Sequence, residues 1–292
     1  MLGGLYVARG DDFLAKIAMA ERPSSRLLAR GEGWAVSDVV CRSGPGDRPY
    51  EERHSNFSIA VVASGTFEYR AASGRALMTP GSLMLGSAGQ SFECAHEHGV
   101  GDRCVAFWYA PAYFERLAAD AGARDARFGG LRVPPVRALA PLVARACAAL
   151  GGPVRLSWEE MGVRLASHAV QLSRGLAPGA PAAPAGAVAR VTQAVRRIEQ
   201  DPDDELSLGA LARTARLSPY HFLRTFERIT GVTPHQYVLR ARLRRAATRL
   251  VTGPGKILDL ALESGFGDLS NFNRAFRAEF GMSPRAYRRQ AG

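Results

Sequence analysis

Residues 264–284, SGFGDLSNFNRAFRAEFGMSP, repeat residues 215–234, ARLSPYHFLRTFERITGVTP. Phe222 and Phe226 answer to Phe272 and Phe276, Gly231 to Gly281, Pro234 to Pro284, and Tyr237 to Tyr287, each pair fifty residues apart. Upstream the register slips by one, with Ala212 answering to Ala261, so the second copy carries one more residue in its turn. The same small object is encoded twice.

In the first copy, LSLGALARTAR places Leu208, Leu211, Ala212 and Ala215 on one face of a short helix. Leu217 closes a tight turn, and Ser218 before Pro219 is an N-cap followed by a first-turn proline. At 3.6 residues per turn, Phe222, Phe226 and Ile229 fall within a buried stripe, while Tyr220, His221, Arg224 and Arg228 occupy the opposite arc. The second copy gives the same wheel. Asp268 or Ser270 caps it, Phe272 and Phe276 are buried, and Ser270, Asn271, Arg274 and Arg277 face outward with Asn273 on the flank. Helix, tight turn, helix with an Arg-bearing polar face is what a helix-turn-helix needs to reach base edges in a major groove.

Between the copies, Thr233 and Pro234 start a helix expected to run to about Val251. Leu239, Leu243, Ala247 and Leu250 form its apolar seam, and Arg240, Arg244 and Arg245 are expected on its outer face. A helix of about 18 residues is roughly 27 Å long. That length is suited to holding two readers over successive groove segments about 34 Å apart.

Charge agrees with this placement. The chain of 292 residues carries a net +11, and residues 187–292 hold 18 Lys and Arg against 10 Asp and Glu. Phosphate neutralisation by such a surface supplies affinity for double-stranded DNA regardless of sequence. The GLAPGAPAAPAGA run at 175–187 cannot pack a core and is expected to be a semi-rigid linker. It separates residues 188–292, a DNA-binding domain, from an N-terminal part that itself changes at 110/111. Residues 1–110 show short strand-like runs, including FSIAVVASGTFEYRA as two strands around Ser64-Gly65. Residues 111–174 turn helical, the last pattern running through Trp158, Met161, Leu165, Ala169 and Leu172, a stripe for core or for a homodimer contact.

The C-terminal residues resemble the AraC/XylS family of bacterial transcription regulators. The resemblance spans about residues 190–289 and is carried by A-x-x-x-G-F-x-x-x-S-x-F-x-R-x-F-x-x-x-F-G-x-x-P-x-x-Y-R, from Ala261 to Arg288. It implies base contacts at Tyr220, Leu223 and Arg224 in the first unit, and at Leu269, Ser270, Asn273 and Arg274 in the second. Leu223 and Leu269 stand where hydrogen-bonding side chains are often found, and contact with a thymine methyl is the alternative there. The N-terminal strands resemble the cupin-like sensor barrel of such regulators. The expected fold is therefore α+β, an N-terminal cupin-like β-barrel with a helical hairpin and an all-α C-terminal domain with two helix-turn-helix units joined by a long helix.

The most pointed N-terminal stretch is FECAHEHGVGDRC. Strand alternation would set Cys94, His96 and His98 on one face, and Cys104 joins them only if a three-residue loop pairs it with His96. These side chain types ligate zinc. Thiol redox sensing and a plain hydrogen-bonded surface are the other readings. Metal-binding cupins carry His-x-His with a following Glu on one strand, whereas His54 stands alone, which disfavours the alternative of a cupin-type metal-dependent enzyme tethered to DNA. His168, beside the apolar seam, is expected to be structural. No nucleophile elbow, phosphate loop or dinucleotide motif occurs. The expectation is a non-enzymatic regulator of transcription whose partners are double-stranded DNA, RNA polymerase, a small-molecule effector and a second copy of the chain. The four cysteines form no CxxC. Acidic residues at 11 and 12 with Lys16 interrupt any secretory segment, and no run of about eighteen apolar residues occurs, so a cytoplasmic location is expected.

Overall fold

The computed structural model describes residues 23–99, 101–151, 156–175 and 183–291. The N-terminal stretch with acids at 11 and 12 lies outside them. Among the described residues ten strands form two sheets. These are β1 (Ser24–Gly31), β2 (Trp34–Cys41), β3 (Glu51–Arg53), β4 (Phe57–Gly65), β5 (Phe67–Ala71), β6 (Gly74–Met78), β7 (Leu83–Gly86), β8 (Ser91–Ala95), β9 (Asp102–Tyr109) and β10 (Arg132–Val133). The larger sheet runs β1-β2-β9-β4-β7-β10, the smaller β3-β8-β5-β6. The expected barrel is thus two open sheets facing one another, not a closed cylinder.

The residues around Ser64-Gly65 do lie in two strands, but not in a hairpin. β4 pairs with β7 and β9, and β5 with β6 and β8, so the chain changes sheets at this corner. Gly65 supplies the turn with φ +81, and a Cβ there would sit 2.2 Å from Gly101 O. The alternation of β9 then decides what goes where. Val105, Phe107 and Tyr109 join Ile59 and Val61 in the main core, while Asp102, Cys104, Ala106 and Trp108 face the space between the sheets.

Three helices cover the outer face of the larger sheet: α1 (Pro111–Asp120), α2 (Ala140–Ala149, after a 3-10 turn at Arg137–Leu139) and α3 (Trp158–Ser173). Met161, Leu165 and Ala169 of the predicted stripe are spent on that core, as are Leu142 and Val143 of α2. The stripe is accordingly an internal contact and not a free dimerisation face. His168 Nδ1 donates within its own helix to Arg164 O at 2.9 Å.

The C-terminal half opens with α4 (Ala185–Gln200), which begins inside the stretch expected to be linker; of that stretch, 176–182 lie outside the described residues. α5 (Leu208–Thr214) and α6 (Pro219–Thr230) form the first unit, α7 (Pro234–Thr252) the connector, and α8 (Ile257–Leu262) and α9 (Leu269–Phe280) the second unit, followed by α10 (Pro284–Ala291). The repeat holds in three dimensions. Phe222, Phe226, Phe272 and Phe276 are all fully buried. Tyr237 meets Phe226 edge-on at 5.7 Å and 80°, and Tyr287 meets Phe276 at 5.4 Å and 79°. Gly231 and Gly281 end the two second helices with φ of 80° and 73°, the left-handed cap that glycine adopts without strain. The turns match as well. Leu217 N donates to Ala212 O at 3.0 Å and Phe266 N to Ala261 O at 3.1 Å. The residue before each is left-handed, Arg216 at φ 53 and Gly265 at φ 78. Leu208, expected on the buried face of α5, is instead 38% exposed at that helix's first turn.

Candidate nucleic-acid interface and inter-sheet cavity

Each second helix is started by a side chain on its own N-terminus. Ser218 Oγ accepts from His221 N at 3.3 Å, and Asp268, not Ser270, caps α9 by accepting from Asn271 N at 2.7 Å. With the phenylalanine stripe anchored below, the opposite arc is left to solvent. Tyr220 (61% exposed), His221, Arg224 and Arg228 are exposed on α6, and Ser270, Asn271, Asn273, Arg274 and Arg277 on α9. Arg224 Nη1 donates to Tyr220 Oη at 3.1 Å with its guanidinium 5.8 Å from that ring, and Arg274 Nη2 donates to Asn271 Oδ1 at 3.4 Å. Neighbours one turn apart thus hold both arginines beside the helix surface. Leu223 and Leu269 differ from the rest of the expected set. Both are half-buried, and Leu269 packs against the core around Phe272 and Phe276.

Two arginines expected on the outer face of the connector are not there. Arg244 of α7 donates to both carboxylate oxygens of Glu199, at 2.6 and 2.8 Å, and Arg240 Nε donates to Glu279 at 3.1 Å. The helical wheel places them on the flank of the Leu243 seam, with only Arg245 opposite it, and that flank is covered by the N-terminal half, with Gly81 and Pro135 beside Arg244. Of the three, Arg245 is exposed and pairs with Asp203. The two halves also share Arg132, whose Nη1 donates to Leu77 O at 2.6 Å and to Ile229 O at the end of α6 at 2.8 Å. Burial lowers the pKa of Arg132 to about 10, so it stays protonated at neutral pH.

The sheets enclose a cavity of about 480 Å³. His54 stands on its wall, its Nε2 2.8 Å from Tyr69 Oη and its ring stacked on Phe92 at 4.0 Å. At the other end the predicted ligand set is only partly assembled. Cys94, His96 and Cys104 do face this space, but β8 ends at Ala95, and beyond it the chain turns so that His98 leaves the set. His98 O instead accepts from Arg196 of α4 at 3.4 Å. Cys104 arrives from the opposite sheet, paired with Val39 and Val62 and not with His96. In place of His98 stand Cys41 and Asp102. His96 Nε2 lies 2.7 Å from Asp102 Oδ1, and Cys104 Sγ lies 3.3 Å from Asp102 Oδ2. Burial opposes charge on His96, but its bonds to Asp102 and Cys41 prevail and lift its pKa to about 9. Burial likewise raises Cys41, yet its bonds to His96 and Ser43 outweigh that and lower it. The buried thiols of Cys94 and Cys104 are raised, first by burial and then by the Asp102 charge.

Comparison with known proteins agrees with both halves. Residues 211–290 match a helix-turn-helix domain family, and residues 40–169 match the AraC-like ligand binding domain family. The HTH-type transcriptional regulator MtrA of Neisseria gonorrhoeae is 29% identical over 103 residues, 35% of this chain and 34% of MtrA. The Transposon Tn10 TetD protein of Escherichia coli is 36% identical over 92 residues, 32% of this chain and 67% of TetD. The chain belongs to the AraC/XylS family. A solved AraC-type regulator from Chromobacterium violaceum is 29% identical, covering 37% of this chain and 97% of its own, with a TM-score of 0.35. This AraC/XylS chain spans about a third of the length of MtrA and 67% of TetD. The families matched are those of regulators, and the enzyme alternative finds no support among them.

Sequence reasoning about this AraC/XylS member missed Cys41 and Asp102, and it missed α4. The 3,4,3 spacing of Val188, Val191, Val195 and Ile198 was the available signal for that helix. It also left His54 unassigned. Burial pushes the His54 pKa down to about 4. An unfolded chain would bind a proton there below its ordinary value of about 6.5. Stability owed to neutral His54 is therefore complete above pH 6.5 and is lost as pH falls toward 4. Urea unfolding at pH 7 and pH 5 should differ by on the order of 2 kcal/mol more in the parent protein than in His54→Gln. Equal pH dependence in the two proteins would remove His54 from this role.

Proposed function

We propose that the protein is a sequence-specific transcription regulator that sets α6 and α9 into successive major-groove segments of double-stranded DNA. The observation that carries this reading is the duplicated scaffold. The same phenylalanine pair, glycine cap and tyrosine prop leave Arg224 and Arg274 exposed on corresponding arcs. Arginine reads guanine O6 and N7 with two bonds, and such a contact discriminates by about 1 to 3 kcal/mol. Readout by Leu223 and Leu269 is apolar on this reading, consistent with their half-burial. The cavity between the sheets is the place for a small-molecule effector, and RNA polymerase and a second copy of the chain are the remaining partners. No helix among the described residues is long and apolar enough to cross a membrane. A protein that acts on DNA in a bacterium works in the cytoplasm, and we place it there.

Selection of bound genomic fragments followed by footprinting tests the reading. Arg224→Ala and Arg274→Ala should each weaken the selected site by about 1 to 3 kcal/mol and relax preference over different base pairs, because each arginine serves one unit. Binding should also fall steeply with added salt, as counterion release requires. If both variants protect the same bases as the parent at the same concentration, the assigned readers are wrong.

A further inference from the structure

Three donors of different chemistry, from three separate segments, meet at one end of the cavity. Cys41 is the last residue of β2, Asp102 the first of β9, and His96 lies just past β8. Their ligand atoms all fall within 4.8 Å of one another. The side chains of His96 and Asp102 are nearly sealed from solvent, at 2% and 7% exposure, while Cys41 lies half-buried on the cavity wall.

The backbone here is built to bring them together. Gly101 N donates to Ser43 O at 2.7 Å, which ties the loop before β9 to the end of β2. Gly101 is left-handed at φ +65, and a Cβ there would lie 2.7 Å from Cys41 O. Gly65 makes a second close approach, against Gly101 O. Gly99 makes a third, since its Cβ would lie 2.4 Å from Thr66 O. Only glycines admit such contacts, and their effect is to press His96 and Asp102 against the end of β2.

The geometry points to a site for a divalent transition metal of the zinc class, held by Cys41, His96 and Asp102, with a fourth position open to the cavity. One thiolate, one imidazole and one carboxylate form a donor set that zinc accepts, and three protein ligands with an open position is its usual arrangement when an exchangeable group completes the tetrahedron. Bonds of about 2.0 to 2.3 Å set tetrahedral ligand atoms roughly 3.3 to 3.7 Å apart. The 2.7 Å contact between His96 and Asp102 therefore opens by about 1 Å or less, and Cys41 needs only to close in. The competing reading is a His96–Asp102 hydrogen bond with Cys41 a bystander, which predicts no metal and no role for sulfur.

Tag-free full-length protein, stripped with chelator under reducing conditions and titrated with Co(II), distinguishes them. The expected result is one equivalent bound, with the intense visible bands of tetrahedral cobalt and a sulfur-to-cobalt charge-transfer band. That band should vanish in Cys41→Ser and persist in Cys94→Ser. X-ray absorption on the zinc-loaded parent, which needs no variant to fold, should give one sulfur and two or three nitrogen or oxygen neighbours. No bound cobalt, a charge-transfer band surviving Cys41→Ser, or a zinc shell with no sulfur or with two would overturn the site. Because these readouts follow the metal and not DNA, the site and the regulator reading fail independently.

Discussion

Phe276→Ala should cost about 3 to 5 kcal/mol of unfolding free energy, among the largest effects available to a single substitution in the C-terminal half. Phe276 has no exposed surface and sits among three other rings, with Phe272 at 5.5 Å, Phe280 at 4.4 Å and Tyr287 at 5.4 Å. Truncation leaves a ring-sized void that rigid aromatic neighbours close poorly. On the proposed function, the damage should be read first as loss of DNA protection over the half-site assigned to α9, with the α6 half-site retained at low temperature. Asn273→Ala, one turn away on the exposed flank, should stay within about 0.5 kcal/mol of the parent. Denaturant unfolding of both variants checks the contrast, and a cost below about 1 kcal/mol for Phe276→Ala would mean that the second unit is not packed as described.

Glu279→Ala should be comparably severe for an electrostatic reason. Its carboxylate, with 4% of the side chain exposed, accepts from Arg240 Nε at 3.1 Å and pairs with Arg137 Nε at 3.5 Å. The Arg240 side chain is 15% exposed, and its Nη1 already lacks a hydrogen-bond partner among the described residues. Removing the carboxylate strands that guanidinium, and breaking a buried pair in this way costs about 3 to 5 kcal/mol. Replacing both partners, Arg240→Met with Glu279→Met, should recover most of the loss, because an apolar pair of similar volume is often neutral or better. Arg137→Ala should cost less than about 1 kcal/mol, since that side chain is 63% exposed. Unfolding curves of the four proteins give the answer. A double variant as unstable as Glu279→Ala would show that the ion pair itself, and not the charge stranded by removing one partner, carries the stability.

What the sequence disclosed and what it withheld divide along a physical line. The helix-turn-helix units were legible because their signals are local. A phenylalanine pair four apart, Ser218 or Asp268 as cap, and Gly231 or Gly281 as terminator all act within one helix. Arg240 and Arg244 were misplaced because they flank the seam on the helical wheel, and a wheel does not report that the N-terminal half covers that flank. In the N-terminal half the strands were visible as strands, but Ser64-Gly65 looks the same in a hairpin and in a corner between sheets. Cys94, His96 and His98 obey alternation only while a strand lasts, and β8 stops at Ala95. Cys41 meets Asp102 through sheet pairing across a long stretch of chain, with His96 brought in from the other sheet, and no spacing rule reports such a meeting.

Arg132 carries a consequence for how the two halves of this protein are joined. One cationic head grips a carbonyl at a strand edge of the N-terminal half and another at the tail of α6. Letting go of either oxygen without water in its place is expensive, so partial slackening is disfavoured and the joint behaves as a latch. If an effector fills the cavity, as proposed, and strains this joint, the expected response has a threshold, silent until the grip fails and complete once it has.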